Sequence, residues 1–236
     1  MSKSSLLVPA GLLAVAAVAA VCLAQPARAD TKSYNLSGFT EIAASAGVDV
    51  VVKQGPFSIV ATGNKDDIAR LDIRLDGSKL VVTHRSGISW FGHAERNLVT
   101  VTAPTWAGIT ASSGSDLDAD GLNLDDLRVA ASGGADIRAV GLATKGLNVT
   151  VSGGADVKLS GNCTVLKVEA SGGGDYKGGE MKCQTAEVRA SGGADADAWA
   201  STSAKGHASS GADIRFRGNP ASVDKETSGG GSVKSS

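Results

Sequence analysis

Six aspartates recur down this chain at nearly constant spacing: Asp116, Asp136, Asp156, Asp175, Asp195 and Asp213, with steps of 20, 20, 19, 20 and 18 residues. A column of carboxylates needs either neutralising bases or a bound cation. Two positions further on stand Asp118, Arg138, Lys158, Lys177, Asp197 and Arg215, four bases in six places. Residues i and i+2 of a strand share a face. Asp136 with Arg138, Asp156 with Lys158, Asp175 with Lys177 and Asp213 with Arg215 are therefore expected to neutralise one another along and across the column. The carboxylates can also accept N–H groups at a glycine corner, as Asx turns do. The functional alternative is a cation ladder over Asp136, Asp156, Asp175, Asp195 and Asp213. One carboxylate per repeat beside a base is a poor cage for a hard divalent ion.

Other chemistry is sparse. His84, His93 and His207 stand in different contexts without cysteine or carboxylate at metal-ligand spacing. No nucleophile elbow, phosphate loop or dinucleotide fingerprint is present, so no cofactor is expected. Polysaccharide-cleaving β-helices keep one enzymatic reading open. Trp90 and Phe91 sit mid-way along residues 86–97, between two strand-like runs, and are either a partner contact or a plug that folds back on the coil end. Trp106 and Trp199 read as corner-packing residues.

The elements that must position the aspartates are written in the motif around them. Ser112-Ser113-Gly114-Ser115-Asp116, Ser132-Gly133-Gly134-Ala135-Asp136, Ser152-Gly153-Gly154-Ala155-Asp156, Ser171-Gly172-Gly173-Gly174-Asp175, Ser191-Gly192-Gly193-Ala194-Asp195 and Ser209-Ser210-Gly211-Ala212-Asp213 are copies of one phrase, and Ser228-Gly229-Gly230-Gly231-Ser232 is a worn last copy. A fixed period in this range marks a repeat architecture, in which each unit buries its apolar face only by stacking on its neighbours. Before each corner an alternating run appears, as in Leu147-Asn148-Val149-Thr150-Val151. After it the alternation resumes, as in Ala155, Val157 and Leu159. Twenty residues leave no room for crossover helices between parallel strands. The expected fold is a right-handed parallel β-helix with coils of about 20 residues.

Cys163 and Cys183 stand one repeat apart, each five residues before a strand valine. Stacked coils would bring them to one strand spacing, ~4.8 Å, within the reach of a disulfide. In an oxidising compartment they are expected to bridge; otherwise they stack as two buried thiols.

Residues 1–29 read as a signal peptide, with Lys3, an apolar Ala-rich run over 6–23 and Ala27-Arg28-Ala29 before Asp30. A retained signal anchor is the other reading of that run, and Val21 is bulky for the position before a lipidated Cys22. Residues 30–104 are strand-rich and are expected to form the N-terminal part of the solenoid and its cap, with Ser45-Ala46-Gly47-Val48-Asp49 as a degenerate first corner and one helical turn over 64–70. Repeat coils occupy 105–223, and 224–236 hold the worn last repeat and a flexible tail. Of 236 residues, 31 are glycine, nearly twice the usual ~7%, and the excess sits in the corners. With 23 basic and 24 acidic residues, the chain lacks the electrostatic footprint of a nucleic-acid binder or an anionic-membrane binder.

The corner copies, together with Val48-Asp49-Val50-Val51-Val52-Lys53-Gln54-Gly55 and with Val99-Thr100-Val101-Thr102-Ala103-Pro104 leading into Ser113-Gly114-Ser115-Asp116, resemble the bacterial DUF2807 family, the auto-transporter adhesin head GIN domain, over roughly residues 38 to 220. The resemblance implies an exported envelope protein with a β-helical domain. It carries over no catalytic residues, and no separate transporter barrel is visible in this chain. Together these observations predict a non-enzymatic, periplasmic or surface protein that presents a repetitive polar face to an envelope glycan or protein, with no membrane span after signal cleavage. The alternatives are a ligand-free periplasmic scaffold or stress-related protein, and a polysaccharide-active enzyme.

Overall fold

The computed structural model describes residues 29–85 and 98–236. In chain order the N-terminal elements are β1 (Asp30–Tyr34), β2 (Glu41–Ala44), β3 (Asp49–Gln54), β4 (Ser58–Gly63), α1 (Lys65–Arg70), β5 (Leu71–Asp76), β6 (Lys79–His84) and β7 (Leu98–Ala103). The repeat coils supply β8 (Gly108–Ser112), β9 (Asp116–Asp120), β10 (Asn123–Ser132), β11 (Asp136–Ser152), β12 (Asp156–Ser171), β13 (Asp175–Ser191), β14 (Asp195–Ser209), β15 (Asp213–Arg217), β16 (Ser222–Thr227) and β17 (Ser232–Ser235).

Parallel coils of about 20 residues stack into a β-solenoid of about six turns, as the repeat period predicts. Each coil climbs one sheet face, turns at the Ser-Gly-Gly corner, and runs down a second face to a looser third side. On the first face Ser112, Ser132, Ser152, Ser171, Ser191 and Ser209 fall in one register row. On the second, Asp116, Asp136, Asp156, Asp175, Asp195, Asp213 and finally Ser232 do the same. Alternate residues point inward, so Leu147, Val149 and Val151 before the corner and Val157 and Leu159 after it are buried. Since period 2 lets each strand bury only every second side chain, the core is a thin stack of Val, Leu, Ile and Ala columns. A solvent-facing column of polar residues is the necessary counterpart.

The motif letters each have a structural reason. Gly153 and Gly154 both hold positive φ, 64° and 72°, a region costly for other residues. A Cβ at Gly153 would also sit 3.3 Å from the Gly133 nitrogen of the preceding coil, whereas one at Gly154 would meet nothing within 4 Å. The next position points into the narrow apex where the two faces converge, and only small residues fill it: Ser115, Ala135, Ala155, Ala194 and Ala212 are at most 1% exposed. The Ser115 hydroxyl stays satisfied there by accepting from the Val48 N–H at 3.1 Å.

That bond joins the repeat coils to the N-terminal part. β2 pairs with β8 and β3 with β9, both parallel, so Ser45-Ala46-Gly47 does form a corner of the stack. The chain then steps outward: β6 lies beyond β2 and β7 beyond β3. Antiparallel pairings close this end, with β5 against β6, β4 against β7, and β1 on β4. α1 links β4 to β5 with Asn64 as its N-cap, accepting from the Asp66 N–H at 3.0 Å. A six-residue helix has little stability of its own, and buried Ile68 fastens it to the core. Phe39 packs on Phe57 and Trp106 at centroid distances of 5.0 and 5.8 Å, and the Trp106 Nε1–H donates to the Lys53 carbonyl at 2.9 Å.

The opposite end closes with charge. Lys225 takes the register place of inward Gly206 and donates from Nζ to the Ser235 hydroxyl at 3.0 Å, crossing from β16 to β17. An inward-pointing lysine on a short edge strand is a recognised guard against edge-to-edge pairing.

Candidate binding faces

On the second face the acids and bases line up by register, Asp136 with Asp156 and Arg138 with Lys158, but neutralisation runs between coils more than along them. Lys177 reaches Asp156 in the preceding coil at 2.9 Å and its own Asp175 at 3.5 Å. Among the described residues no ion pair joins Asp136 to Arg138, Asp156 to Lys158 or Asp213 to Arg215, contrary to the pairing expected from i, i+2 spacing. Register sets Lys177 beside Lys158 and Asp156 beside Asp175, so the Lys177–Asp156 bridge runs on the diagonal, one coil back and two residues along, a span that a long basic side chain covers. Arg217 follows the same rule, gripping Asp197 one coil back through Nε at 2.8 and 2.9 Å and Nη2 at 2.5 Å. That grip raises the Arg217 pKa.

Asp136 shows what an uncompensated place in the column costs. Burial raises its carboxyl above the ordinary range, the neighbouring Asp116 and Asp156 raise it further, and Lys177 offsets part of the effect. No group of three or more His, Cys, Asp or Glu side chains gathers in metal-holding geometry among the described residues. The column runs along the axis with its members one per coil, so the carboxylates do not converge on one point.

The first face carries a second charged array that the motif spacing did not single out. Asn148, Lys167, Glu187, Lys205 and Asp224 share one register column, and Thr150, Glu169, Arg189, His207 and Glu226 share the next. Signs alternate down the first column from Lys167 to Asp224, while the second runs Glu169, Arg189, His207, Glu226 with acids at both ends, and cross-coil opposite charges stabilise a sheet pairing. Arg189 pairs with Glu187 at 2.6 Å, Lys205 with Asp224 and Glu226 at 3.3 and 3.4 Å, and His207 Nδ1 lies 3.1 Å from Glu226. His207 and Lys205 together lower the Glu226 pKa. Applying the 20-residue period to positions before the corner, instead of to the motif, would have revealed this array.

A shallow groove lies on each face. That on the first, about 380 Å³, is lined by Thr150, Ser171, Ser191 and Ser209 with Glu169, Arg189 and His207. That on the second, about 290 Å³, is lined by Asp175, Lys177, Asp195, Asp197, Asp213, Arg215 and Lys234 over Ala196 and Ile214. Both are open, suited to contact along a partner's surface more than to enclosure of a small molecule.

The remaining singled-out residues fall elsewhere. Cys163 and Cys183 are bonded on the third side, with Cα atoms 4.4 Å apart. Trp90, Phe91 and His93 lie outside the described residues, in the segment that joins β6 to β7. His84 is a packing residue whose Nδ1 sits 2.8 Å from the Ala46 carbonyl. Trp199 is half-buried against Gly218, where a Cβ would lie 2.5 Å from its ring. Among the described residues, exposed large apolar side chains are scattered over separate segments, at Phe57, Leu75, Leu98, Val140 and Val165. No helix among the described residues is long and apolar enough to cross a membrane.

A family model described as "Putative auto-transporter adhesin, head GIN domain" matches residues 38–220, from just before β2 through β15. The chain belongs to the DUF2807 family. Solved structures share the DUF2807 solenoid. A putative adhesin from Bacteroides fragilis NCTC 9343 superposes with a TM-score of 0.82 at 21% identity, covering 89% of this chain and 98% of that one. A putative lipid binding protein from Parabacteroides distasonis ATCC 8503 gives 0.68 at 14% identity over 89% and 97%. A putative adhesin from Parabacteroides merdae ATCC 43184 gives 0.67 at 17% identity over the same shares. Similarity at these identities establishes the fold. No curated protein matches the chain.

Proposed function

We propose that this DUF2807 protein is exported to the bacterial envelope and acts there by binding, laying its repetitive polar sheet faces along an extended glycan or protein partner without turning it over. The observation that carries this reading is the register itself. Two faces of parallel coils hold polar side chains in straight columns, which offer the same contact repeatedly at ~4.8 Å intervals. Repeated weak contacts of this kind gain strength from number instead of from a deep pocket. The adhesin names of the family and of two solved relatives agree with it. Export follows from the N-terminal apolar segment with its Ala27-Arg28-Ala29 boundary. The disulfide belongs to an oxidising compartment.

Immobilised chain incubated with solubilised envelope fractions tests the reading. Retention of a glycan or protein, weakened when Glu169, Arg189 and His207 are replaced together by Gln, supports it. Failure to retain either fraction rejects it, as does measurable cleavage of an envelope polysaccharide that an Asp→Asn change in the column abolishes.

A further inference from the structure

The groove on the second face differs from the rest of its column in how its charges are used. Lys177 is engaged by Asp156 and Asp175, and Asp197 is held by Arg217. Arg217 thereby takes the acid that register places beside Arg215. What is left over is four exposed charges, Asp195, Asp213, Arg215 and Lys234, none with an ion pair or side-chain hydrogen bond among the described residues. Register sets Asp195 next to Asp213 in one column and Arg215 next to Lys234 in the adjacent one. An acidic pair therefore stands beside a basic pair across the groove, with about 6.6 Å between the columns' backbones.

We propose that this groove binds a short zwitterionic peptide segment, with a ligand ammonium on Asp195 and Asp213 and a ligand carboxylate on Arg215 and Lys234. An ammonium has three donors and no acceptor, which two adjacent carboxylates satisfy. A guanidinium receives a carboxylate through two parallel N–H donors, with the lysine adding a point charge beside it. The order of charges matters as much as their presence, because a ligand with only one sign meets an opposing pair next to the attractive one. A peptide fits the lining better than a sugar. The groove has no serine, threonine, asparagine or glutamine and no exposed aromatic ring, whereas the first-face groove is lined by hydroxyls. The inference rests on the binding role proposed above and names a ligand class for one of its faces.

The test is titration calorimetry of the full chain with the blocked tripeptide acetyl-Lys-Ala-Glu-amide. Three controls accompany it: the same peptide with acetyl-lysine, the same peptide with Gln for Glu, and a neutral N-acetylglucosamine oligomer. The full tripeptide is expected to bind at least tenfold tighter than any control. D195N/D213N should abolish the preference for the free ammonium while keeping that for the carboxylate, and R215Q/K234Q should do the reverse. These side chains are exposed, and unchanged circular dichroism confirms that the variants fold. Equal affinity for all three peptides, no binding of the tripeptide, tighter binding of the sugar, or variants that leave the preferences intact would each overturn the proposal. The two readings fail separately. Failure of the tripeptide to bind a chain that still retains envelope material sinks the groove alone, whereas an unmodified chain that retains nothing sinks the binding role itself.

Discussion

Breaking the Cys163–Cys183 bridge is the most direct perturbation of the stack, because the bond links equivalent positions of consecutive coils. It closes a loop of 20 residues. In the chain-entropy treatment a loop of that length restricts the unfolded chain by an amount worth about 3 kcal/mol at room temperature. It also staples an irregular stretch. The β12–β13 pairing shifts between Lys158 and Ser160, and β13–β14 shifts between Gly178 and Lys182 and again between Cys183 and Thr185. Ladder hydrogen bonds are interrupted there, so the bond supports the side of the coil least able to support itself. For a chain of this size the expected drop in melting temperature is roughly 6–12 °C. The assay is thermal unfolding followed by far-ultraviolet circular dichroism, on the C22S protein with and without reductant and on C22S/C163A/C183A. The reduced protein and the alanine variant should melt at similar, lowered temperatures, and native C22S protein should titrate no free thiol. Coincident melting of oxidised and reduced protein within about 1 °C, or two reactive thiols in the native state, would refute the reasoning.

Gly153→Ala and Gly154→Ala both force alanine into positive φ at a cost of roughly 1–2 kcal/mol, but only the first adds crowding at 3.3 Å. Denaturant unfolding should rank Gly153→Ala as the more destabilising. Tyr176 is fully buried, and its hydroxyl has no hydrogen-bond partner among the described residues. Tyr176→Phe removes that hydroxyl and should raise stability by about 1 kcal/mol in the same assay, and a loss would point to a hidden partner for the oxygen. Asp136 has a folded pKa raised above its usual 3.8, so folding favours its protonated form. The contribution of Asp136 to stability should therefore fall as pH rises from below 3.8 through its folded pKa. Asp136→Asn lacks that loss and should be the more stable protein at pH 7, the difference closing as the pH is taken to 3. A gap that stays constant across that range would show that the carboxylate charge is not responsible.

The periodic part of this protein is written in its residue order. A corner of Ser-Gly-Gly-small-Asp every 20 residues, flanked by alternating apolar residues, leaves stacked parallel coils as the economical way to bury one thin core. It places Cys163 beside Cys183 and Asp136 beside Asp156 before any coordinate is known. Ser45-Ala46-Gly47 was legible as a corner for the same reason. Tertiary structure alone decided what depends on order and reach across coils. The outward step of β6 and β7 past β2 and β3 has no local signature, because strand propensity does not say which edge a strand will join. The direction of the ion pairs was likewise hidden. Spacing along one strand suggested Asp136 with Arg138, but Lys177 reaches diagonally to Asp156 and Arg217 to Asp197, one coil back and two residues along. Which charges remain unengaged in the second-face groove follows from that competition, and a competition between neighbours in space is not written in the linear order of residues.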